Sequence, residues 1–574
     1  MISEGGLPAG SGGRLSAGVL CGVAAALGAF VYLNALNNPF VYDDHRVIVE
    51  NPSLLRLGDL TAIVAHDVKR PIANLSYAVD VAVWGVRPFG FHLTSLALHL
   101  LNIVLVFVLA SQIAEDATDP EGDTTPHRAA PLAFAAAALF AVHPLMTQAV
   151  GYISARADVL CATFMLLTLL CYRAAVVRHS SWWLAASGLT TLLAIGTKET
   201  AAVLPLLTIA YDWLGLSDHR ARFRQRALRV LLPALLLTIA IGAARLALLV
   251  RVEYSAGPGV QWSYALVEAD VLRQYLKLLA LPVGQSVFHP VTAIASLTDR
   301  RALFAIAWVV SLMLVTWRLA VRDWLAAYGV LWFLLTLVPS AVLVMFDLGE
   351  PMAEHRVYIA SIGLFLAAGC AFGWLWSWAR RRWMVWRVAI ATAMALVLVV
   401  LSLLTVRRNA IWGNPVRLWV EAAMNAPDIW VTHLMLGQEL QLQGRLNEAV
   451  YAYRRAIALR PQEPYGYTKA AECLIALQRY DEAGELFKQW RAVDHRSNRP
   501  VMGLGLVAAL TGRPAEAQKY FEEAIAIDPT DRDSRESLAR LNANELPRCA
   551  DCFDRPPAMR PGSRTGTVVP PPSR

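Results

Sequence analysis

Charged residues are scarce in this 574-residue chain. They make up 17% of it, whereas apolar residues make up 56%. Soluble globular proteins carry about 25% charged residues, so this chain lacks the polar surface that it would need in water. The shortage is uneven, because residues 1–406 form long apolar runs and residues 407–574 have an ordinary soluble composition. The composition therefore excludes a single soluble domain and predicts a membrane domain followed by a water-soluble one.

Cysteine is sparse as well, with seven in the chain. Cys549 and Cys552 form an isolated C-x-x-C in the polar tail. No second pair of ligands lies near them, which argues against a zinc site and leaves a local disulfide or a free pair. No nucleic-acid recognition motif accompanies the net charge of +8. Much of the arginine lies in short loops between apolar runs, which is typical of membrane orientation, so we expect no nucleic-acid partner.

The apolar runs are long enough to cross a bilayer, whose hydrocarbon core of about 30 Å needs about 20 helical residues. No convincing small-residue cleavage site follows the first run, so we interpret it as a retained span. The amphipathic segment 262–283 is interrupted by charges and a proline, and we expect it to lie along the membrane surface. The sequence thus predicts about eleven spans: 15–34, 92–113, 131–149, 157–177, the short 182–197, 200–215, 229–250, 303–321, 324–345, 357–378 and 388–406.

Basic loops set the expected orientation, because cytoplasmic loops are enriched in Lys and Arg. With eleven spans and a cytoplasmic N-terminus, the four basic turns fall on the cytoplasmic side: 173–178, 217–229, 318–322 and 379–387. The other loops, and everything after residue 406, then fall on the opposite side: 36–90, 150–156, 197–200, 251–302 and 346–357. We refer to this opposite side as the outer side.

A 34-residue periodicity fills the C-terminal part of the chain. It is visible in three sets of positions: Ala449, Ala483 and Ala517; Tyr453, Phe487 and Phe521; Gly437, Ala471 and Gly505. Small residues at close helix contacts and an aromatic residue in the groove are typical of tetratricopeptide repeats. The middle repeat departs, with Trp490 where alanine is expected. We predict an all-α protein: a membrane domain over 1–406, a linker helix over 407–429, an α-solenoid of three repeats over 430–545, and a disordered tail over 546–574.

Ionisable residues gather at span ends on the outer side. Asp43 and Asp44 follow the first span, and paired carboxylates can serve as a general base and bind a substrate hydroxyl or cation. Alone, such a pair is more often a solvated turn. Further candidates for substrate binding lie in other outer loops: Arg70, His143, Arg156, Asp158, Lys198, Glu199, Glu354, His355, Arg356 and Tyr358. Each of them could instead be part of a structural ion pair, but carboxylates beside several basic groups suit a substrate with a phosphate leaving group.

These segments resemble the transmembrane and tetratricopeptide-repeat O-mannosyltransferases of the GT-C glycosyltransferase superfamily. The resemblance covers residues of about 30 to 530 and includes the following segments: NPFVYDDHRVI, RPIANLSYAV with RPFGFHLTSLALHLLN, LFAVHPLMTQAV with SARADVL, GTKE, and AEHRVYIASIGL. Single motifs are weak signals, whereas their combination with the repeats is specific.

The resemblance implies an inverting enzyme that moves mannose or a similar hexose from a polyprenyl-phosphate carrier to a protein hydroxyl on the non-cytoplasmic face. Asp43 or Asp44 would be the base. The phosphate would be held by Arg156, Lys198, His355 and Arg356. No metal or other cofactor is expected, and the bilayer and an acceptor protein docked on the repeats are the other expected partners.

The chain also departs from the family pattern. Gln148 stands where many relatives have glutamate, which weakens an acid/base role there, and three repeats are fewer than eukaryotic relatives often have. Short loops suggest a bacterial inner-membrane protein with periplasmic repeats. In an endoplasmic reticulum membrane, Asn74-Leu75-Ser76 would be a glycosylation sequon.

Two other classes of function are alternatives to a glycosyltransferase. A non-enzymatic scaffold would explain the repeats alone, and a transporter would require mid-membrane charges and inverted symmetry, which are not seen.

Overall fold

The computed structural model describes residues 12–117, 126–216, 220–253, 263–291, 294, 298–346, 350–543 and 545. All regular secondary structure in these ranges is helical, which confirms the predicted all-α class. The chain forms two compact units. The membrane unit comprises residues 1–285 and 291–414, and the repeat unit comprises 286–290 and 415–574. The predicted disordered tail, with Cys549 and Cys552, lies outside the described residues.

The membrane unit is a bundle of apolar helices. Its described residues form α1 (Gly12–Tyr32), α2 (Leu60–His66), α3 (Pro71–Trp84), α4 (Pro88–Asp116), α5 (Pro126–Val142), α6 (Thr147–Gly151), α7 (Arg156–Arg178), α8 (Ser181–Thr197), α9 (Leu204–Gly215), α10 (Arg220–Arg226), α11 (Leu232–Glu253), α12 (Ser263–Ala280), α13 (Arg300–Arg322), α14 (Trp324–Met345), α15 (Val357–Arg380) and α16 (Met384–Trp412). Short 3-10 or π-helical turns join them: Leu33–Ala35, His45–Val49, Pro52–Leu55, Pro144–Met146, Ile153–Ala155, Glu199–Val203, Ala227–Leu231 and Glu354–Arg356.

Eight described helices are long and apolar enough to cross a membrane. The number is nine if the helix pair Arg128–Val142 and Pro144–Gly151, bent by 54°, counts as one span. The bend has a local cause, because the α conformation is disfavoured for a residue that precedes proline. His143 is accordingly extended, with φ −74° and ψ 126°. The chain is therefore a membrane protein with a broken helix at one of its predicted site residues.

The two remaining predicted spans, 182–197 and 200–215, correspond to short helices. α8 has 17 residues and α9 has 12. At 1.5 Å per residue they extend about 25 Å and about 18 Å, less than the bilayer core of about 30 Å. Because α8 and α9 are consecutive, counting both or neither changes the number of spans by two. The number stays odd, and the predicted sidedness of the later loops is unaffected.

α12 corresponds to the segment predicted to lie along the membrane surface. It is not among the helices that are apolar enough to cross a membrane. One stripe of it is buried, formed by Val267, Val271, Tyr275 and Leu278. This spacing is that of an amphipathic helix with one packed face. Its position relative to a bilayer stays a prediction.

The first outer loop folds around a small core of its own. Ile48, Leu54, Ile63 and Tyr77 pack with the beginning of α4 and α7. Asn74 is buried beside them, and its Nδ2 donates to the Ile63 carbonyl at 2.8 Å. An asparagine that is bonded in this way inside the fold is not accessible for glycosylation of the folded protein.

The membrane helices pack closely through small residues. Cβ atoms at Gly329 of α14 and Gly363 of α15 would lie 2.3 Å and 2.2 Å from the backbone carbonyl of the opposite glycine. Only glycine permits this distance, as is common where membrane helices pack without a hydrophobic driving force between them. α14 thereby supports the N-terminal part of α15, directly after the predicted site residues 354–356.

The repeat unit is a solenoid of helix pairs. Its described helices are α17 (Pro415–Asn425), α18 (Trp430–Leu442), α19 (Leu446–Leu459), α20 (Pro464–Ala476), α21 (Tyr480–Val493), α22 (Arg499–Leu510), α23 (Pro514–Ile527) and α24 (Arg532–Asn542). A Cβ atom at Gly437 would lie 2.6 Å from the ring of Tyr453, which explains the small residue at that repeat position. Trp490 replaces the expected alanine by stacking on Tyr467, with ring centroids 5.8 Å apart.

The boundary between the units differs in detail from the predicted one. α16 continues through Trp412, six residues beyond the predicted end of the membrane domain. The predicted linker helix 407–429 is divided between the end of α16 and α17. Asn38 of the first outer loop donates from Nδ2 to the Asn409 carbonyl at 3.2 Å. The chain therefore leaves the membrane unit at the end that carries the first outer loop.

We predict that an alkaline phosphatase reporter fused after residue 430 is active in a bacterial host, because an odd number of spans places that position outside. A fusion after residue 225, in the basic cytoplasmic loop, is the matched control and is expected to be inactive. Enzyme activity of the two fusions at equal expression is the measurement. The opposite pattern would overturn the predicted topology.

Candidate active site

Asp43 and Asp44 are adjacent in sequence but differ in environment. The Asp44 side chain is fully buried. Its Oδ1 accepts from the Ser154 amide at 2.8 Å and from the Ser154 hydroxyl at 2.6 Å, and its Oδ2 accepts from the Val41 amide at 3.1 Å. The Asp43 side chain is 32% exposed and lies 3.8 Å from Arg46. Of the two carboxylates, Asp43 is the one that a substrate can reach.

The backbone before the pair explains this difference. Tyr42 has φ 52°, a left-handed conformation that is unfavourable for a bulky residue,. Such strain costs on the order of 1–3 kcal/mol and persists only where the surrounding structure imposes it. Here the bonds from Val41 and Ser154 to Asp44 hold the turn. The turn directs the Asp43 carboxylate to the surface and the Asp44 carboxylate to the interior.

Burial raises the pKa of Asp44 from its ordinary value to about 7, although the hydrogen bonds from Ser154 and Val41 act in the opposite direction. A folded-state pKa above the unfolded value means that ionisation of Asp44 disfavours the folded state. The contribution of the protonated carboxyl to stability is complete below about pH 4 and is lost as the pH rises through about 7,. Asp44 therefore changes charge near neutral pH.

A second group lies around Glu199, in the turn between α8 and α9. Its Oε1 lies 3.5 Å from Arg70 Nη2, and both side chains are partly exposed. Burial alone would raise the pKa of Glu199, but the charges of Arg70 and Lys198 lower it to about 2, with a smaller contribution from Arg356. Glu199 is therefore ionised, and three cations face it from three segments of the chain.

Arg245 of α11 faces the same group and was not predicted. Its charge acts on Glu199 and Arg70. Its Nη1 donates to the Ile195 carbonyl in the last turn of α8, at 2.7 Å. The sequence carried a signal for it, because an arginine inside an apolar run is a functional candidate.

Tyr77 connects the two groups. Its hydroxyl donates to the Ile153 carbonyl at 2.9 Å, one residue before the serine that binds Asp44. The charges of both Asp44 and Arg70 act on Tyr77. The acidic pair and the cations around Glu199 therefore lie on the same side of the membrane unit.

Two predicted basic residues are buried in ion pairs. Arg156 Nη1 lies 2.5 Å from Asp80, with both side chains almost inaccessible, and its Nη2 donates to the Phe91 carbonyl at 2.8 Å. Lys198 Nζ donates to both oxygens of Asp158, at 2.7 Å and 2.6 Å, again with both side chains buried. In sequence, Arg156 is nearer to Asp158 and Lys198 is nearer to Glu199. In the folded chain, Arg156 instead pairs with Asp80, and Lys198 pairs with Asp158.

Three more predicted residues are fully engaged inside the fold. His143 Nδ1 accepts from the Leu145 amide at 3.2 Å, and its Nε2 lies 3.0 Å from the Leu279 carbonyl, so this ring supports the broken helix. Tyr358 lies 2.8 Å from His99. Glu354 accepts from Gln285 at 3.0 Å. These side chains have roles in packing, and the distances do not place them at an accessible surface.

His355 and Arg356 lie in the 3-10 turn that precedes α15, and both are partly exposed. The His355 amide donates to Gln148 Oε1 at 2.6 Å. A glutamate at position 148 would also accept this bond, so the glutamine that departs from the family pattern retains a structural role. The His355 ring Nδ1 is buried and has no hydrogen-bond partner in the described part of the chain. Arg356 makes one long bond, 3.5 Å, to the Pro351 carbonyl.

The described residues contain no group of three or more His, Cys, Asp or Glu side chains that could hold a metal ion. The residue types that do converge are one accessible carboxylate and several cations. Such a set can accept a proton and stabilise an anionic leaving group.

We predict that Lys198→Met destabilises the protein by about 3–5 kcal/mol, because it leaves the Asp158 carboxylate buried without a partner. The double variant Lys198→Met with Asp158→Leu should recover most of this loss. Arg70→Met is the control, because its pair with Glu199 is partly exposed and contributes about 1 kcal/mol or less. Thermal unfolding of the detergent-purified protein measures all three. Equal stability of Lys198→Met and wild type would show that Lys198 has no structural role.

Comparisons with known proteins agree with this architecture. Residues 440–501 and 502–531 match tetratricopeptide repeats. Over 77% of its length the chain is 28% identical to Protein O-mannosyl-transferase Tmtc1 of Drosophila melanogaster, of which it covers 62%. It is 26% identical, again over 77% of its length, to Protein O-mannosyl-transferase TMTC1 of Homo sapiens, of which it covers 56%. The chain therefore spans somewhat more than half the length of these homologues.

A shorter match is more similar. Over 35% of its length the chain is 32% identical to Protein O-mannosyl-transferase TMTC2 of Homo sapiens, of which it covers 25%. Among solved structures, the APC/C hetero-tetramer Cut9-Hcn1 aligns with 14% identity and a TM-score of 0.22, covering 87% of this chain and 94% of that one. This last likeness is too low to support a conclusion.

Proposed function

We propose that this homologue of the TMTC protein O-mannosyl-transferases is a membrane glycosyltransferase. It moves mannose or a similar hexose from a polyprenyl-phosphate carrier to a hydroxyl of a protein acceptor on the non-cytoplasmic face. The observation that carries the proposal is the convergence, on one side of the membrane unit, of the accessible Asp43 with the cations around Glu199. A base and a phosphate site are what such a transfer requires.

The phosphate site is assigned to Arg70, Arg245 and Arg356, with His355 beside them. These guanidinium groups are partly exposed or face Glu199, so an incoming phosphate can bind them. Arg156 and Lys198 were also predicted for this role. We assign them to structure, because their buried partners already take up their charges.

The depth of this site favours a lipid-linked donor. α8 follows a basic turn that is predicted to be cytoplasmic, and it is about 25 Å long, shorter than a hydrocarbon core of about 30 Å, so we place its end near the outer membrane boundary,. Glu199 follows that end directly, and Arg245 binds its last turn. A donor whose polyprenyl chain is embedded in the bilayer holds its phosphate near the membrane surface, closer to this turn than a sugar nucleotide in bulk water would be.

The proposed reaction is a single displacement. Asp43 accepts the proton of the acceptor hydroxyl while the hydroxyl oxygen attacks the anomeric carbon. The bond between that carbon and the phosphate oxygen breaks, and its electron pair leaves with the lipid phosphate, whose charge the arginines stabilise. Attack from the side opposite to the phosphate inverts the anomeric configuration. Asp43 then releases its proton to water. No metal or cofactor takes part in the proposed reaction.

The repeats are proposed to present the acceptor. Tetratricopeptide arrays bind extended or helical segments of other proteins, and this array follows α16, whose end adjoins the first outer loop. The predicted topology places it outside, in the periplasm of a bacterium or in the lumen of the endoplasmic reticulum of a eukaryote. A non-enzymatic scaffold is the second candidate function, because the repeats alone would support it.

We predict that Asp43→Asn lowers the turnover number for sugar transfer by a factor of about 10² to 10⁴, the usual contribution of a general base. The assay contains purified protein, a labelled polyprenyl-phosphate mannose or glucose, and a periplasmic or luminal extract, with and without a metal chelator. Glu50→Gln, an exposed carboxylate of the same loop, is the control and should retain activity.

Equal transfer by wild type and Asp43→Asn would exclude Asp43 as the base. Absence of transfer by wild type with every donor would favour the scaffold. Inhibition by the chelator that added divalent cations reverse would contradict the proposed metal-independent reaction.

We predict that transfer increases with pH through about 7, because the ionised Asp44 carboxylate accepts the bonds from Val41 and Ser154 that hold the turn. Ser154→Ala removes the hydroxyl bond that stabilises the ionised form, so the midpoint should move to higher pH. The measurement is the pH dependence of the turnover number at saturating donor. An unchanged or lower midpoint in Ser154→Ala would contradict this assignment.

A further inference from the structure

α16 is attached to the membrane unit unevenly. Much of its length is exposed, as at Leu396 and Leu403, which are 63% and 66% exposed. One face of its last two turns is buried instead. Thr405 and Asn409 are fully buried there, and Trp412 is 2% exposed. A helix that only crosses a bilayer needs no such packing at one end.

The buried end is held by specific polar contacts. Thr405 Oγ1 donates to the Val142 carbonyl at 2.6 Å, beside the broken helix. Asn409 Nδ2 donates to the Val31 carbonyl at 2.9 Å, near the end of α1. Its own carbonyl accepts from Asn38, four residues before Tyr42. Because buried polar groups are costly unless they are hydrogen-bonded, these bonds specify where the end of α16 lies.

Aromatic rings extend this contact to the acidic turn. Trp412 stacks on Tyr152, with centroids 5.6 Å apart and planes 18° from parallel. The ring of Tyr152 lies 6.5 Å from that of Tyr42. Tyr42 directly precedes Asp43, and Tyr152 lies two residues before Ser154. The three rings therefore pack next to both segments that hold the carboxylate pair.

We propose that the last two turns of α16, residues 405–412, are a positioning element for the acidic turn, with Asn409 and Trp412 as its positioning residues. The inference rests on the proposed function, in which Asp43 is the base. Neither residue is assigned to touch substrate. They act by holding the strained backbone at Tyr42 and the segment that carries Ser154.

This assignment gives α16 a role besides that of a membrane span. The membrane unit ends at Asn414 and the repeats begin with α17 at Pro415. The repeat array is thus joined to the rest of the chain through the element that positions the base.

The test compares full-length variants in detergent by two measurements. The first is hydrogen exchange of the amides in segments 41–46 and 152–156, which needs no activity. The second is the transfer assay at several pH values. Trp412→Ala should increase exchange in both segments and lower the turnover number by about tenfold to a hundredfold, as small misplacements of catalytic groups do. The Michaelis constant for the lipid donor should change less than twofold.

The pH profile separates positioning from a general loss of stability. Trp412→Ala should move the acid limb of the profile to lower pH, because burial is the largest influence on the pKa of Asp44 and a loosened turn admits water to it. Ser154→Ala acts in the opposite direction because it removes one bond and leaves that burial in place. A merely destabilised protein would lose amplitude without a shift. Trp412→Phe, which keeps an aromatic ring for stacking, should restore both exchange and turnover.

Two further variants complete the design. Leu403→Ala alters an exposed side chain of the same helix and should change nothing. Tyr42→Asn removes the ring from the other end of the stack. Asparagine tolerates positive φ, so this variant should keep the fold and can replace Trp412→Ala if that variant proves unstable,. It should reproduce the loss of turnover.

Wild-type exchange and turnover in both Trp412→Ala and Tyr42→Asn would overturn the proposal. So would exchange that increases equally throughout the chain. If wild type transfers no sugar, the proposed function fails, but the local exchange response of segments 41–46 and 152–156 still decides whether residues 405–412 position the turn.

Discussion

The bonds from Ser154 to the buried carboxylate of Asp44 connect two segments that are 110 residues apart in sequence. They hold the first outer loop against the segment that leads into α7, and they impose the left-handed conformation on Tyr42. The accessibility of Asp43 follows from this contact, because the turn that buries Asp44 leaves the preceding carboxylate exposed. The ionisation near neutral pH of Asp44 and the proposed role of the end of α16 both depend on it.

The same physical constraint divides the basic residues of the membrane unit into two classes. A charge that is buried in a low-dielectric interior requires a bonded partner, and Arg156 and Lys198 have one each,. A charge at a partly hydrated boundary remains able to bind an incoming anion. Arg70 and Arg356 are in that second position, and Arg245 joins them from a helix that is otherwise apolar. The proposed phosphate site consists of these three arginines.

Helix length is the other constraint on function. α8 and α9 are shorter than a bilayer core, and we propose that the turn between them lies near the outer membrane boundary,. A long α16, in contrast, extends beyond its apolar stretch and reaches the outer loops with its last turns. The proposed donor site and the proposed positioning element thus both arise where the length of a helix differs from the thickness of the bilayer core.

The amino-acid sequence by itself determined the all-α class and the repeats, because hydrophobic length and 34-residue periodicity are local properties. The common side of the site residues is a prediction from the basic loops. It also identified Asp43 and Asp44 as the acidic pair. Only the tertiary structure decided which carboxylate is accessible, that Arg156 binds Asp80, that Lys198 binds Asp158, and that Arg245 faces Glu199. Those outcomes depend on burial and on contacts between distant segments, which residue spacing along the chain does not specify.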